Sequence, residues 1–78
     1  MKIIIFGKDT CCFCLKSKEL LDNNNIEYKY ILMDEVSAYY QTNYLNKVPN
    51  TYKTVPQIFI DNKFIGGYSD LEPIINKK

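Results

Sequence analysis

Apolar residues follow two different spacings along this chain, and each spacing predicts a different kind of element. Lys2 to Phe6 is an almost unbroken apolar run, as expected of a central strand that is buried on both faces. From Phe13 to about Asp22, the residues Phe13, Leu20 and Leu21 fall on one helical face and the charged residues fall on the other. The chain therefore opens with a buried strand, a short loop and an amphipathic helix.

The next segment predicts a second strand and a second helix. The asparagines at 23–25 end the first helix, because asparagine tolerates the left-handed conformation. Ile26 to Leu32 alternates like a strand with one more polar face. Asp34 is a candidate N-cap for a helix that runs to about Lys47. The side chains expected to face inward from it are Val36, Tyr40, Tyr44 and Leu45, and Tyr39 and Tyr52 are expected to cover the same helix and its loop.

The last third of the chain predicts a β-hairpin and a short helix. The two strands are Gln57–Ile60 and Phe64–Ile65, and the turn between them is Asp61–Lys63. The glycine pair Gly66–Gly67 ends the hairpin. Ser69 can cap the final helix, with Glu72 and Pro73 in its first turn.

The order of elements is βαβα followed by ββα. A parallel strand pair with a right-handed crossover is thereby extended by an antiparallel hairpin in the same sheet. The predicted fold class is α/β, specifically the thioredoxin fold: a four-stranded mixed sheet flanked by three helices on its two faces.

Composition predicts one small soluble domain over residues 1–78. Hydrophobic residues make up 46% of the chain, which is enough for a packed core and argues against disorder. The net charge is +1 and the charges are interspersed, so neither nucleic acid nor a membrane surface is an expected partner. Met1 to Ile4 lead directly into a strand rather than a cleavable signal. We expect a cytoplasmic monomer.

The candidate chemistry lies in three cysteines within four positions, Cys11-Cys12-Phe13-Cys14, between the first strand and the first helix. A sulfur at a helix start meets unpaired N–H groups and the positive end of the helix dipole. Both stabilise the thiolate that attacks disulfides. Cys11 is the candidate nucleophile and Cys14 the candidate resolving cysteine, and the Lys8 ammonium would lower the pKa of Cys11 further. Inert buried cysteines and an ordinary solvated lysine are the structural alternatives.

The cysteine count limits the other classes of site. All three cysteines lie in one cluster, so they cannot form a disulfide framework that joins distant loops. The chain has no histidine and no cysteine elsewhere, so the ligand count fails for a mononuclear metal site within one chain.

Two later segments carry candidate binding residues. Thr54-Val55-Pro56 directly precedes a strand, so Pro56 is either a strand-start device or a cis proline that turns the Val55 backbone toward the cysteines. Gly66-Gly67-Tyr68-Ser69-Asp70 leads into the last helix, where N–H groups suit a carboxylate and Asp70 suits an ammonium. A hairpin exit followed by an ordinary N-cap is the structural alternative.

These segments in this order and spacing resemble the glutaredoxin family. The motifs are Cys11-Cys12-Phe13-Cys14, Thr54-Val55-Pro56-Gln57-Ile58-Phe59 and Gly66-Gly67-Tyr68-Ser69-Asp70-Leu71. The Cys-x-x-Cys is shared with many redox proteins, whereas Thr-Val-Pro and Gly-Gly-x-x-Asp together are specific to this family. The resemblance covers nearly the whole chain. It implies a glutathione-dependent disulfide oxidoreductase that has no tightly bound cofactor and takes its electrons from glutathione.

The resemblance also implies roles for individual residues. Cys11 matches the family's nucleophile, Cys14 its resolving cysteine and Pro56 its cis-proline, and the Val55 main chain would pair with the cysteinyl part of glutathione. The implied substrates are disulfide-containing or glutathionylated proteins, with ribonucleotide reductase as one candidate.

The remaining implied contacts surround the two ends of glutathione. Ser69 and Asp70 match residues that bind its γ-glutamyl end, and Lys8 matches a residue near its glycine carboxylate. Thr54 and Tyr68 match residues that line the same groove.

Two positions depart from the family's pattern. Its usual proline after the nucleophile is Cys12 here, which removes a rigid helix start and adds a third thiol open to side reactions. In the family, loss of this proline is also associated with a [2Fe–2S] cluster held between two subunits by the nucleophilic cysteine, here Cys11, and glutathione. Its usual tyrosine is Phe13, which keeps an apolar wall and lacks a hydroxyl.

Three alternative functions follow from these departures and from the fold. The first is an iron–sulfur carrier or sensor. The second is a redoxin that is reduced by thioredoxin reductase and serves ribonucleotide reductase. The third is a purely structural interaction module, which would leave the cysteine cluster unexplained.

Overall fold

The computed structural model describes residues 2–35, 37–49, 52 and 54–76, and within them the strands and helices follow the predicted order. The strands are β1 (Ile3–Gly7), β2 (Lys29–Leu32), β3 (Gln57–Ile60) and β4 (Lys63–Gly66). The helices are α1 (Cys12–Asn23), α2 (Ala38–Asn43) and α3 (Tyr68–Asn76). Two 3₁₀ turns, Met33–Glu35 and Leu45–Lys47, lie on either side of α2.

β1 is a central strand of a four-stranded sheet with the order β2-β1-β3-β4. It pairs in parallel with β2 and antiparallel with β3, so that Ile5 lies opposite Tyr30 on one side and Ile58 on the other. β3 pairs antiparallel with β4. The predicted α/β thioredoxin fold, with its mixed sheet and three helices, is confirmed.

The sheet separates two hydrophobic cores because successive side chains of a strand point to opposite faces. On the face covered by α1 and α3, the buried residues are Ile3, Ile5, Leu21, Ile58, Leu71 and Ile75. On the face covered by α2, they are Ile4, Phe6, Tyr44 and Phe59. Every residue of β1 is buried, which confirms the prediction of a strand covered on both sides.

α1 ends where the asparagines predict, but its first turn differs from the prediction. Asn25 has φ 56°, and the Asn24 side-chain amide donates to the Leu20 carbonyl over 2.8 Å. The buried face of α1 consists of Cys14, Ser17 and Leu21. Phe13 was predicted on that face, yet 54% of it is exposed. It lies beside the buried face rather than on it, and its ring lies 6.1 Å from the Tyr68 ring of α3.

β2 is shorter than predicted and begins at Lys29 rather than at Ile26. The Ile26 N–H donates to the Leu21 carbonyl over 3.0 Å and so closes the end of α1. Ile26 and Tyr28 still pack against the core below α1, and the ladder with β1 begins at Lys29.

α2 is also shorter than the predicted helix from Asp34 to Lys47. Asp34 lies in the 3₁₀ turn rather than at the N-cap, which is Ser37. The helix ends at Asn43 because Tyr44 leaves helical geometry (φ −126°) while its hydroxyl donates to Asn62 over 3.0 Å. The predicted inward residues Tyr40, Tyr44 and Leu45 do pack against the sheet, and Val36 lies outside the described residues.

The hairpin and α3 place the last candidate site residues. Asp61 and Asn62 have φ values of 50° and 71°, as a tight two-residue hairpin turn requires, and β4 begins directly after them. α3 starts at Tyr68, two residues earlier than an N-cap at Ser69 predicts, so Ser69 is not its N-cap. The Gly67 carbonyl accepts the first helical hydrogen bonds, from the N–H groups of Asp70 and Leu71.

This earlier start gives Asp70 a structural role and moves Pro73. The Asp70 carboxylate accepts the Gly67 N–H over 3.2 Å. A side chain in the first turn of α3 thus binds the backbone N–H of the N-cap residue. Pro73 is the sixth residue of α3 rather than part of its first turn. None of the helices in the described part of the chain has the length and apolar character needed to cross a membrane.

Candidate active site

Cys11 occupies the N-cap position of α1. Its backbone is extended (φ −84°, ψ 120°), and its carbonyl accepts the Leu15 N–H over 3.1 Å. The Cys11 N–H donates in turn to the Lys8 carbonyl over 3.4 Å. The loop after β1 thus holds a partly exposed sulfur at the positive end of a 12-residue helix.

The surroundings of Cys11 favour its thiolate. Burial by itself raises the pKa of Cys11. Hydrogen bonds from the Cys14 side chain and from the backbone N–H groups of Cys14 and Phe13 outweigh that effect, and the Lys8 ammonium adds a smaller contribution. The pKa of Cys11 therefore lies below its ordinary value, as the sequence predicts for a thiol at a helix start.

Cys14 has the opposite environment one helical turn later. It is completely buried, and this burial raises the pKa of Cys14 above its ordinary value. The neighbouring Cys11 sulfur raises it further, while the Lys8 backbone N–H and the Tyr30 hydroxyl act in the opposite direction. The two cysteines thus differ: the pKa of the partly exposed Cys11 is lowered, and the pKa of the buried Cys14 is raised. Cys12 is exposed and belongs to neither environment.

The segment before β3 lies against Cys11. The Cys11 sulfur donates to the Val55 carbonyl over 3.6 Å, and the peptide bond between Val55 and Pro56 is cis. The sequence left Pro56 as either a strand-start residue or a cis proline, and the cis proline is confirmed. Cysteine and proline segments that are 44 residues apart in the chain therefore meet at one point.

Beside this contact lies a small groove, which we call the Pro56 cleft. It has a volume of about 200 Å³ and is lined by Phe13, Tyr52, Thr54, Val55, Pro56, Gly67, Tyr68 and Ser69. The Phe13 and Tyr68 rings lie 6.1 Å apart at its rim. Six of the ten residues predicted for the site line this cleft, and Cys11 lies next to it through its contact with Val55.

Lys8 and Asp70 do not line the Pro56 cleft. Lys8 borders a separate depression with Asp34 and Leu32 on the other side of the loop. The Asp70 carboxylate turns back onto the Gly67 N–H, directly behind the cleft wall. Lys8 is linked to Cys11 in two ways: its ammonium helps to lower the pKa of Cys11, and its carbonyl accepts the Cys11 N–H.

Tyr52 is a cleft residue that the sequence analysis assigned elsewhere. It was expected to cover α2, but its hydroxyl donates to the Pro56 carbonyl over 3.2 Å and its ring packs edge-on against Phe64 at 5.0 Å. A Cβ atom on Gly67 would collide with this hydroxyl. Tyr52 joins the two binding segments, and nothing in the local sequence of its polar loop signals that position.

A larger cavity of about 340 Å³ lies at the opposite end of β1, among Lys2, Lys29 and the tyrosines of α2. It contains no thiol. The smaller Pro56 cleft, by contrast, adjoins Cys11, whose pKa is lowered.

Comparison with known proteins agrees with this geometry. The family model described as Glutaredoxin matches residues 3–65. This chain belongs to the glutaredoxin family. It is 39% identical over 69 residues to "Glutaredoxin 1" of Rickettsia prowazekii (strain Madrid E), a match that covers 88% of this chain and 72% of the relative.

Two solved structures extend the comparison to the glutaredoxin fold. Glutaredoxin 1 from Francisella tularensis, crystallised with cacodylate, is 34% identical with a TM-score of 0.75, covering 97% of this chain and 93% of that one. The buckwheat glutaredoxin–glutathione complex is 28% identical with a TM-score of 0.70, covering 97% of this chain and 70% of that one.

The family and the cysteine pair define the activity of this glutaredoxin. Both cysteines of the Cys-x-x-Cys are present, and they lie together at the start of α1. The chain is a dithiol glutaredoxin, that is, a glutathione-dependent thiol–disulfide oxidoreductase.

Proposed function

We propose that this glutaredoxin reduces protein–glutathione mixed disulfides and protein disulfides, with Cys11 as the nucleophile and Cys14 as the resolving cysteine. The observation that carries the assignment is the contrast between the two sulfurs. Cys11 is partly exposed with a lowered pKa, and Cys14 is buried with a raised pKa. The thiolate is the attacking species in disulfide exchange, so the first attack belongs to Cys11.

Two routes use this pair. With a mixed disulfide, the Cys11 thiolate attacks the glutathione sulfur, the substrate leaves as a thiol, and a second glutathione releases oxidised glutathione. With a protein disulfide, Cys11 first joins one substrate sulfur. Cys14 then attacks Cys11, the substrate leaves with two electrons gained, and a Cys11–Cys14 disulfide remains. Two molecules of glutathione reduce that disulfide.

Glutathione is proposed to lie along the Pro56 cleft. The Val55 main chain would pair with its cysteinyl part, and Ser69 with Asp70 would hold its γ-glutamyl end. Phe13, Thr54 and Tyr68 would form the walls, which is supported by their position around one groove next to Cys11. Lys8 would approach the glycine carboxylate, an assignment that rests on the family's pattern.

Two roles of Asp70 can be tested separately: its negative charge, and its hydrogen bond at the start of α3. Asn at this position keeps an oxygen that accepts the Gly67 N–H but loses the charge that attracts an ammonium. We expect Asp70→Asn to raise the KM for glutathione about tenfold, because a hydrogen bond to a charged group is lost. Unfolding by heat should occur near the original Tm. Asp70→Ala is the matched variant that removes both interactions, and it should also lower the Tm. An unchanged KM in Asp70→Asn would remove Asp70 from the binding site.

The pKa of Cys11 predicts the pH dependence of its reaction with an alkylating agent. A lowered pKa means that a larger fraction of Cys11 is thiolate at a given pH. The alkylation rate of the reduced protein should therefore rise and level off at a lower pH than for an ordinary cysteine. Cys14, whose pKa is raised, should react only at higher pH. Mass spectrometry assigns each phase to its cysteine, and a first phase in the ordinary thiol range would contradict the proposed activation.

The described residues of a single chain do not supply a full ligand set for an iron–sulfur cluster. The residues described by the structure contain no group of three or more His, Cys, Asp or Glu side chains that could hold a metal ion. Cys11 alone would depend on a second subunit and on glutathione for the remaining ligands. A cluster would therefore have to bridge two chains. A coloured dimer after anaerobic reconstitution would support that alternative, and a colourless monomer would count against it.

The electron donor separates the proposal from a redoxin that depends on thioredoxin reductase. Reduction of a glutathione mixed disulfide is measured with glutathione and glutathione reductase, and in parallel with thioredoxin reductase alone. We expect turnover only with glutathione. Turnover with thioredoxin reductase alone would favour the alternative.

The proposed setting is the cytoplasm, where thiols are kept reduced. The chain is proposed to act as a single-domain monomer without a tightly bound cofactor. Its partners are glutathione and disulfide-containing or glutathionylated proteins, with ribonucleotide reductase as one candidate. Neither nucleic acid nor a membrane is proposed as a partner.

A further inference from the structure

Tyr30 lies beside the catalytic loop, although no motif singles it out. It belongs to β2, opposite Ile5 of β1, and its ring packs on the core face that α1 covers. Its hydroxyl donates to the Lys8 carbonyl over 3.1 Å. The same carbonyl accepts the N–H of Cys11. The tyrosine therefore reaches from an edge strand to the loop that carries both cysteines.

Gly7 brings the Tyr30 hydroxyl and the Cys14 sulfur to one point. A Cβ atom on Gly7 would lie 2.5 Å from the Tyr30 oxygen and 2.7 Å from the Cys14 sulfur. Both atoms thus occupy the space that a side chain at position 7 would need. Because glycine leaves this space open, the hydroxyl and the buried sulfur become neighbours.

A thiolate at Cys14 has few sources of stabilisation. The side chain is completely buried, so bulk water cannot solvate a charge on its sulfur. The groups that favour the charged form are the Lys8 backbone N–H and the Tyr30 hydroxyl. The other titratable or charged groups that face Tyr30 are Cys11, Asp9 and Lys18, whose ammonium lies 4.6 Å from the centre of the ring.

The two-cysteine route requires that thiolate twice. Cys14 must be deprotonated to attack the mixed disulfide on Cys11. This attack forms the Cys11–Cys14 bond and releases the substrate as a thiolate, and that thiolate then takes up a proton. When glutathione attacks Cys11 of the resulting disulfide, the Cys11–Cys14 bond breaks and Cys14 leaves as a thiolate. Its electron pair comes from that bond, and a second glutathione completes the two-electron reduction. A lower-pKa thiol leaves faster, and a larger thiolate fraction speeds attack.

We propose that the Tyr30 hydroxyl turns from the Lys8 carbonyl to the Cys14 sulfur whenever that sulfur carries charge, and thereby supports the two-cysteine route. A hydroxyl carries one hydrogen that rotates about its C–O bond, so it serves the carbonyl and the thiolate in turn. The phenol keeps this hydrogen, because burial and then the neighbouring Cys14 hold the pKa of Tyr30 above its ordinary value. The inference rests on the proposed function for its kinetic consequence and on geometry for the hydrogen bond.

The direct test is the titration of Cys14 in the reduced protein, followed by NMR of cysteine labelled with ¹³C at Cβ. Tyr30→Phe removes the hydroxyl and keeps the ring. Tyr28→Phe is the matched control, because its hydroxyl bonds Asp22 over 3.3 Å and its ring packs on the same core. We expect the thiolate fraction of Cys14 near neutral pH to fall about tenfold in Tyr30→Phe. The titration in Tyr28→Phe should match the unmodified protein. Equal titrations in all three proteins would overturn the inference.

The kinetic test compares the two routes in the same variants. In Tyr30→Phe, we expect protein-disulfide reduction to fall about tenfold more than deglutathionylation does, whereas Tyr28→Phe keeps the original ratio. Adding Tyr30→Phe to Cys14→Ser should have little further effect, since the sulfur that it serves is absent. Equal losses in both routes, or a full further loss in the double variant, would make Tyr30 a general support of the loop and refute the inference.

The two tests also separate this inference from the proposed function. Absence of glutathione turnover in the unmodified, folded protein would refute the proposed function without affecting the titration of Cys14. An unchanged titration in Tyr30→Phe would refute the hydrogen bond whatever the turnover.

Discussion

Cys11→Ser is expected to reduce glutathione-dependent turnover to the uncatalysed background with both kinds of substrate. Both routes begin with the thiolate of Cys11, and a serine hydroxyl does not ionise near neutral pH to replace it. The variant should fold normally, since serine is a favourable residue at the N-cap of α1. Turnover is measured with a small glutathione mixed disulfide and with a disulfide-bonded protein, and folding is checked by thermal unfolding.

Cys12→Ser is the control that distinguishes Cys11 from the adjacent thiol. Cys12 is exposed and does not make the Val55 contact, so its substitution should leave turnover close to that of the unmodified protein. If Cys11→Ser retains activity and Cys12→Ser loses it, the nucleophile is Cys12 and the assignment based on the helix start is wrong.

Cys14→Ser is expected to separate the two routes almost completely. Deglutathionylation should persist, because a second glutathione can resolve the mixed disulfide on Cys11. Reduction of protein disulfides should be lost, because the substrate remains attached to Cys11 and no intramolecular thiol displaces it. Cys14 is completely buried, so thermal unfolding is used to check that the variant folds.

The measurement is a comparison of both activities with mass spectrometry of the trapped complex. A covalent adduct between Cys11 and the protein substrate should accumulate in Cys14→Ser and should be absent from the unmodified protein. Sustained protein-disulfide reduction by the variant would show that Cys14 is not the resolving cysteine and would direct attention to Cys12.

Much of the scaffold can be predicted from local patterns in the sequence. The apolar run before the loop is β1, and its burial on both faces follows from the absence of any alternating polar residue. The asparagines that end α1 and the turn of the β3–β4 hairpin also act through their own backbone preferences. Such features depend on residues that are close in the chain.

The prediction for the start of α2 failed because distant contacts outweigh a local preference. Asp34 is a good N-cap residue, yet α2 is positioned by the burial of Tyr44 against Phe59 and by its hydrogen bond to Asn62. The prediction for Ser69 failed for a local reason, because the Asp70 carboxylate accepts the Gly67 N–H and α3 begins two residues earlier.

The sequence by itself determined the redox pair, the order of the elements and membership of the glutaredoxin family, because each is carried by residue types at fixed spacings. Only the tertiary structure decided that Tyr52 closes the Pro56 cleft and that Tyr30 stands next to Cys14. These neighbours come from different elements, and their proximity depends on strand register and on the missing side chains of Gly7 and Gly67. A periodic pattern records which face of an element is buried, but it does not record which side chain of another element the buried face meets.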